Sequence, residues 1–259
     1  MNGRNIVGQV LSVASGKGGT GKTSFCAGIG VALCALGEKV LVIDADCGLR
    51  SLDIVLGMTD SLLFSYADVI LGRSGLKEAA VKHPVVKNLR VLTAPASISA
   101  GASFGDEKIG ALLQLAREHF TYVLVDCPAG FGEDVLSFAR GSDRAVVVST
   151  PDYTSLRGAQ RIGTQMMDGG TDRVKIVVNR VHAGMIDMGN SVNIDAAMDA
   201  SGLALLGVVP EDKDVIACGN QGKVLMLHSR GPARAAYNNI ARRIRGERVS
   251  LLDKVTFRD

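Results

Sequence analysis

The sequence has little of what marks exported, metal-cluster or base-stacking proteins. It has no tryptophan, and aromatic residues make up 4% of its 259 residues, so it offers little surface on which bases can stack. Its five cysteines are widely spaced without a C-x-x-C pair, which argues against a disulfide framework and against a zinc or iron–sulfur site. No apolar run approaches the roughly 20 residues of a transmembrane helix, and the first eight residues lack a signal-peptide core. We therefore expect a cytoplasmic protein with buried thiols.

An excess of charge of one sign is also missing. The net charge of +3 is too small to indicate nucleic-acid binding by itself. With 47% hydrophobic and 21% charged residues the chain can bury a substantial core, and nothing in its composition divides it. We expect a single domain over residues 1–245, followed by a tail at 246–259. Positive charge is concentrated near the C-terminus at Arg234, Arg242, Arg243, Arg245 and Arg248.

The most informative stretch that is present is G-K-G-G-T-G-K-T, which starts at Gly16. It matches the phosphate-loop pattern G-x-x-x-x-G-K-[ST] and lies between a strand-like run and a small-residue helix. Its glycines let successive N–H groups point at an anion, and the helix start adds its positive dipole end. We expect Lys22 to reach the β- and γ-phosphates of a nucleotide and Thr23 to ligate Mg²⁺. The predicted nucleotide contacts in this stretch are Gly16, Lys17, Gly18, Gly19, Thr20, Gly21, Lys22, Thr23 and Ser24.

Buried apolar runs alternate with helical segments along the whole chain. This alternation predicts an α/β fold, with a doubly wound, mostly parallel sheet and helices on both faces. The predicted strands are 10–14, 39–43, 89–93, 122–125, 144–149, 174–178 and 203–209. The predicted helices are 22–36, 51–56, 61–71, 112–120, 155–167, 194–198 and 232–245.

Three aspartates follow two of the predicted strands. Asp44 and Asp46 come after the strand 39–43, and Asp126 comes after the strand 122–125. Open α/β sheets bind ligands at the carboxyl ends of their strands, so all three are expected near the phosphate loop. A single aspartate after a strand is more often a cap or turn residue, but three beside a phosphate loop favour a role in catalysis. Two of the three could hold, through water molecules, the Mg²⁺ that Thr23 ligates, while the third orients the attacking water.

The loop, with Lys17 directly after its first glycine, resembles the deviant phosphate loop of the MinD/ParA family of P-loop ATPases. Five further segments resemble the MinD branch of that family in order and approximate spacing. They are D-A-D-C-G-L-R-S-L-D-I-V-L-G-M from Asp44, Leu92 to Ser97, D-C-P-A-G from Asp126, V-N-R from Val178 and Gly207 to Asp212. This resemblance implies a Mg²⁺-dependent hydrolysis of ATP to ADP and phosphate.

The resemblance also implies a role for individual residues. Lys17 would contact the nucleotide of a second subunit in an ATP-dependent homodimer, and Asp46 would be the hydrolytic residue. Asp44 would meet the magnesium through water, and Asp126 would be the Walker-B carboxylate. The adenine would be held by the amide of Asn179 and the turn at Pro210 and Glu211.

For the cell, the resemblance implies a spatial switch for division-site placement, attached peripherally to the inner face of the membrane. Its partners would be division-inhibitor or activator proteins of the Min type and an anionic membrane surface. The family's membrane-binding helix corresponds to residues 249–259, whose apolar side chains spread over more than half of a helical wheel, so an ordinary frayed terminus is an equal interpretation. Two departures from the family pattern are Ser51, in place of a frequent asparagine, and Gly158 with Gln160, where acidic residues are common on the helix that partners contact.

Four alternatives remain at this point. A related flagellar-placement ATPase shares all of these motifs. A ParA-like DNA-partition ATPase would bind DNA in a salt-sensitive way, and the weak basic character argues against nucleic acid. A metal-cluster carrier is disfavoured by the missing C-x-x-C. A metabolic kinase or synthetase can use the same loop, but the sequence shows no second substrate pocket.

Overall fold

The structure is a computed structural model in which residues 7–59, 61, 63–96 and 104–251 are described. An eight-stranded sheet forms its centre, in the order β3-β4-β2-β5-β1-β6-β7-β8. All neighbours are parallel except β3 and β4, which confirms the predicted doubly wound sheet. The strands are β1 Gln9–Ser15, β2 Val40–Asp44, β3 Val81–Lys82, β4 Leu89–Leu92, β5 Tyr122–Ala129, β6 Arg144–Ser149, β7 Val174–Val181 and β8 Ala204–Pro210.

Helices cover both faces of this sheet. The first five are α1 Lys22–Ala35, α2 Leu52–Val55, α3 Tyr66–Ile70, α4 Leu76–Ala79 and α5 Gly105–Arg117. The others are α6 Glu133–Arg140, α7 Tyr153–Asp168, α8 Ala183–Asp187, α9 Ile194–Ser201, α10 Lys213–Asn220, α11 Leu225–His228 and α12 Pro232–Ile244. Helices α1, α2, α11 and α12 share one hydrophobic core with the sheet, and α3 to α7 with α9 share a second core on the opposite face.

Helix α1 is buried on nearly every side because it lies between the sheet and α12. Its small residues permit this close packing, since a Cβ on Gly28 would stand 2.4 Å from the ring of Tyr237. The ring of Phe25 meets the same tyrosine edge-on at 5.9 Å. The helix stops where Gly37 adopts a φ of +92°, as the sequence predicts. Its amino end is thereby held rigidly against the sheet.

Several element boundaries differ from those the sequence predicts. Strand β5 continues through Asp126 to Ala129, because main-chain pairing with β1 resumes beyond a bulge. Strand β7 likewise continues past Asn179 to Val181. Asp126 and Asn179 therefore both lie inside their strands rather than at the ends. The predicted helix 61–71 starts only at Tyr66, and the predicted helix 112–120 is the longer α5. The short elements α4, β3, α6, α8, α10 and α11 were not predicted.

The division into a domain over 1–245 and a tail over 246–259 stays a prediction. The membrane-binding segment expected at 249–259 lies mostly outside the described residues, since these end at residue 251. Among the described residues, no helix is long and apolar enough to cross a membrane.

Candidate functional site: the phosphate loop and its carboxylates

The phosphate loop joins the end of β1 to the start of α1, as its sequence predicts. Two of its glycines have left-handed backbones that favour glycine, with φ of +79° at Gly19 and +88° at Gly21. A third, Gly16, lies directly against the backbone of Gly158 in α7, where a Cβ would stand 2.3 Å from the nearest carbon. Helix α7 therefore packs directly against the loop. Gly158 permits this contact, a structural role that its position in the family pattern did not reveal.

A buried ion pair lies at the centre of the site. The Nζ of Lys22 is 2.7 Å from Oδ1 of Asp126, and the two side chains are 7% and 0% exposed. Burial lowers the pKa of Lys22, but the charge and hydrogen bond of Asp126 together outweigh it, so this pKa is raised. Burial raises the pKa of Asp126, against the opposing influence of Lys22 and the nearby Thr23 hydroxyl. The lysine stays charged, with its ammonium held beside the loop.

Two buried oxygen atoms near this pair make no hydrogen bond to any described residue. They are Oδ2 of Asp126 and the hydroxyl oxygen of Thr20. A buried polar atom without a partner costs roughly 1–3 kcal/mol, so such atoms indicate a site prepared for another group. Thr23 is half-buried, and the Ser51 hydroxyl lies 3.4 Å from the Thr23 hydroxyl. This donor set fits a triphosphate with Mg²⁺, which binds through few protein oxygens plus phosphates and water.

Asp44 lies next to Asp126, because the two residues pair in register between β2 and β5. Its Oδ1 accepts the N–H of Asp46 at 3.0 Å and its Oδ2 accepts the N–H of Leu52 at 3.1 Å. Burial and the charge of Asp126 raise the pKa of Asp44 to about 7, despite these two hydrogen bonds. Asp44 thus links the strand end to the loop that carries Asp46 and to α2.

The raised pKa of Asp44 predicts a pH-dependent stability in the absence of magnesium and nucleotide. The folded protein holds a proton on this carboxyl up to about pH 7, whereas the unfolded chain releases it near its ordinary value of 3.8. This stabilising contribution is present at low pH and is lost as the pH rises toward 7, because the folded state binds more protons in that window. From about pH 5.5 to about pH 8, we expect wild type to lose about 2 kcal/mol more than Asp44→Asn.

Denaturant unfolding of both proteins at each pH measures this difference. The asparagine variant has no titrating group at this position, so it provides the reference for the pH dependence of wild type. Parallel pH profiles for the two proteins would show that Asp44 is ionised throughout.

Asp46 is more accessible than the other two aspartates. It is half-buried, and its Oδ1 accepts the N–H groups of Gly48 and Leu49 at 3.1 and 3.2 Å. The loop it organises presents Leu49 to solvent with 76% of its surface exposed. Asp46 therefore borders the open side of the site, where a water molecule can reach it. Its catalytic role stays a prediction.

Lys17 stands on the rim of the loop. Its side chain is exposed and forms no ion pair with any described residue. Burial works against ionisation of Asp152, but hydrogen bonds from Thr150 and Ser155 and the charge of Lys17 together lower its pKa. This lysine is thus free to contact a group outside its own subunit, which agrees with its predicted role without testing it.

The predicted adenine-binding residues lie together in one cleft beside the loop. This cleft of about 470 Å³ is lined by Asn179, Pro210 and Glu211, with Gly21 of the loop and Ser24 of α1. The Nδ2 of Asn179 donates to the carbonyl of Thr20 at 2.7 Å. Asn179 thus supports the loop as well as the cleft, a role its sequence motif did not reveal.

The structure adds Arg180 to the cleft. Its backbone is left-handed, with a φ of +56°, where strand β7 bulges between Val178 and Val181. Arg180 lines the cleft with Asn179 and the start of α10. The V-N-R motif contained it, but the sequence had no signal that a bulge would turn this side chain toward the cleft.

In the described part of the chain, no group of three or more His, Cys, Asp or Glu residues is placed to hold a metal ion by itself. Cys26, Cys34 and Cys127 are buried, and Cys47 and Cys218 are half-buried, all as free thiols. The expectation that all five are buried thiols therefore holds for three of them.

Comparison with known proteins gives a consistent result. The ParA family model, described as an NUBPL iron-transfer P-loop NTPase, matches residues 6–245. The septum site-determining protein MinD of Bacillus subtilis is 36% identical over 95% of this chain and 92% of its own length. MinD in the MinC:MinD cell division protein complex of Aquifex aeolicus superposes with a TM-score of 0.87 at 32% identity, covering 94% of this chain and 98% of that chain. MinD of Pyrococcus horikoshii, complexed with Mg-ADP, superposes with a TM-score of 0.81 at 25% identity, covering 91% and 95%.

Proposed function

The chain belongs to the MinD branch of the MinD/ParA family of P-loop ATPases and is an ATP hydrolase, and we propose that it dimerises on ATP as a membrane-associated spatial switch for division-site placement. The relatives described above are septum-site or cell-division proteins, matched over more than nine tenths of their length. The proposal follows these relatives rather than the iron transfer in the description of the family model.

The observation that carries the ATPase site is the buried pair of Lys22 and Asp126 beside the glycine loop. In this arrangement Lys22 stays charged beside the loop. A phosphate bound in the loop can therefore replace Asp126 as the partner of the Lys22 ammonium. Asp126 then has both oxygens available, one of which already lacks a hydrogen-bond partner among the described residues. On nucleotide binding, the Lys22 ammonium would thus leave Asp126 for a phosphate, and Asp126 would become available to the metal.

Several side chains would hold the metal and the attacking water. Thr23 would bind Mg²⁺ directly, while Asp44 and Asp126 would meet its water ligands. When bound, the ion neutralises charge on the phosphate oxygens. Asp46 would orient the attacking water and accept its proton, because it is the one half-buried carboxylate of the three and water can reach it.

The same carboxylates connect the nucleotide state to the protein surface. Asp44 bonds the main chain of both Asp46 and Leu52, so its hydrogen bonds hold the loop between them. That loop carries the exposed Leu49. A change at the magnesium site would therefore alter the surface that a second subunit meets.

The test of the proposal is the oligomeric state with each nucleotide. We expect light scattering after size exclusion to show a dimer with Mg-ATP and a monomer with Mg-ADP. Co-sedimentation with anionic liposomes should follow the same difference, because two weak membrane contacts on one dimer act together. Equal liposome binding with both nucleotides would contradict the switch, and a monomer with Mg-ATP would contradict the dimer.

Replacing Lys17 by alanine tests its action across subunits. We expect the variant to bind ATP within about 3-fold of wild type, while its dimer dissociates at least about 10-fold more readily, since a charge-assisted contact to phosphate is lost. Fluorescent-nucleotide titration and light scattering measure the two quantities separately. Lys108→Ala, at an exposed lysine of α5, is the matched control and should leave both unchanged.

The arginines near the C-terminus contribute less to membrane binding than their number indicates. Arg245 pairs with Glu38 and Glu247, and Arg242 pairs with Glu247. The guanidinium of Arg243 donates to the carbonyls of Leu206, Val249 and Ser250. These side chains serve the fold, so attraction to anionic lipid would have to come from other groups as well.

A further inference from the structure

A second cavity lies at the end of the sheet opposite to the phosphate loop. It has a volume of about 480 Å³ and opens at the amino ends of β2 and β4. Its walls come from the residue before β2, from α4, from the chain between the end of β3 and the start of β4, and from the residues that follow α5. This volume is within the range of small-molecule sites, which is roughly 300–1,000 Å³.

The walls of this cavity carry positive charge that no described acidic residue of the lining neutralises. Four lysines, Lys39, Lys77, Lys82 and Lys87, line it with exposed side chains, and none forms an ion pair with a described residue. No aspartate or glutamate is among the described residues that line it. Glu38, next to the first of these lysines, instead pairs with Arg245 at 3.0 Å.

A fifth cation is built into the wall. The guanidinium of Arg90 donates to the carbonyls of Lys77 and Ala80 at 2.9 and 2.6 Å, so its position is fixed by the main chain of α4 and the residue that follows it. Five like charges around one cavity repel each other, and a bound anion would relieve that repulsion.

The floor of the cavity is apolar. Leu76, Val86 and Leu89 are buried there, and Phe120 is half-buried. His83 shapes this floor without adding charge. The Nδ1 of His83 accepts two main-chain N–H groups, and its Nε2 donates to the carbonyl of Leu56 at 3.0 Å. This pattern requires a neutral imidazole, and burial also lowers the pKa of His83.

We propose that this lysine cavity binds an organic phosphate that carries an apolar or aromatic group. Lysine ammonium groups bind phosphate as mobile point charges, and the floor would accept the apolar part of the same molecule. Such a compound has two sources, a soluble phosphate ester or the headgroup and upper chain of a phospholipid. Neither source uses the nucleotide site.

The experiment uses the full chain saturated with Mg-ADP, so that the phosphate loop is occupied. The soluble probe is 1-naphthyl phosphate, followed by its fluorescence, with inorganic phosphate as a competitor of the same charge type. We expect one saturable site per chain that binds the naphthyl ester at least about 10-fold more tightly than inorganic phosphate. Burying the naphthyl ring on the floor contributes the corresponding binding free energy of more than about 1.4 kcal/mol.

Lys82→Glu with Lys87→Glu reverses two wall charges on exposed side chains. We expect binding to weaken at least about 10-fold, since charge-assisted hydrogen bonds to phosphate are lost. The control, Lys108→Glu with Lys175→Glu, changes the net charge equally at two exposed lysines outside the cavity and should stay within about 2-fold of wild type. Circular dichroism confirms that both variants are folded.

Vesicles of phosphatidylcholine with and without phosphatidic acid form the second arm. If the protein sediments with phosphatidic acid vesicles, and the cavity variant loses this binding while the control keeps it, the site binds a lipid phosphate. If naphthyl phosphate binds but the vesicles do not, the site binds a soluble ester. Both results support the proposal. Absence of cavity-dependent binding in both arms, or an equal loss in the two double variants, would overturn it.

Discussion

Asp46→Ala is expected to lower the turnover of ATP by about 100-fold or more, because the variant has no carboxylate to orient the attacking water and accept its proton. ATP affinity should stay within about 3-fold of wild type, since Asp46 makes its hydrogen bonds to Gly48 and Leu49 rather than to the phosphate loop. Phosphate release measures turnover, and nucleotide titration measures affinity. A dimer formed with ATP should persist longer in this variant.

The alanine variant also removes two hydrogen bonds from the loop that Asp46 organises. Asp46→Asn separates this structural effect from the chemical one, because an asparagine oxygen can still accept both main-chain N–H groups. We expect the asparagine variant to lose as much turnover as the alanine variant while keeping the wild-type stability. Normal hydrolysis by either variant would remove Asp46 from the catalytic role.

Gly16→Ala is expected to abolish nucleotide binding and to destabilise the fold. A Cβ at this position would stand 2.3 to 2.5 Å from the backbone of Gly158, and neither backbone has a flexible side chain that can move aside. Overpacking of this kind costs about 1–3 kcal/mol. The loop must shift away from α7 to make room, so its N–H groups would no longer converge on the phosphates.

Two other glycines provide matched controls for this prediction. A Cβ on Gly158 would lie 3.3 Å from Gly16, and a Cβ on Gly18 would meet nothing within 4 Å. We therefore expect Gly16→Ala to lose more stability in the nucleotide-free protein than either Gly158→Ala or Gly18→Ala, as measured by thermal unfolding. Equal melting temperatures for all three variants would show that the close approach of the two backbones is not required.

Gly158 shows that a departure from a family pattern can have a structural cause. Acidic residues are common at this position in the family, on the helix that partners contact. In the fold, it is the residue that lets the helix approach the phosphate loop. A neighbouring side chain, Gln160, is exposed and remains available to a partner. A glycine here therefore reflects packing under the loop and carries no information about the partner.

The sequence by itself determined the phosphate loop, the alternation of strands and helices and the edge of the sheet where the aspartates gather. These properties are local, because a contiguous motif sets the loop geometry and parallel strands always bring their carboxyl ends to one edge. The prediction needed no knowledge of which strand lies beside which.

Only the tertiary structure decided how those pieces meet. Lys22 and Asp126 are 104 residues apart, and their contact depends on β5 lying between β2 and β1. The bond from Asn179 to the carbonyl of Thr20 spans 159 residues, and the lysine cavity brings together Lys39, Lys77 and Arg90 from separate segments of the chain. Strand order and helix approach arise from the packing of the whole core, so no local pattern in the sequence encodes them.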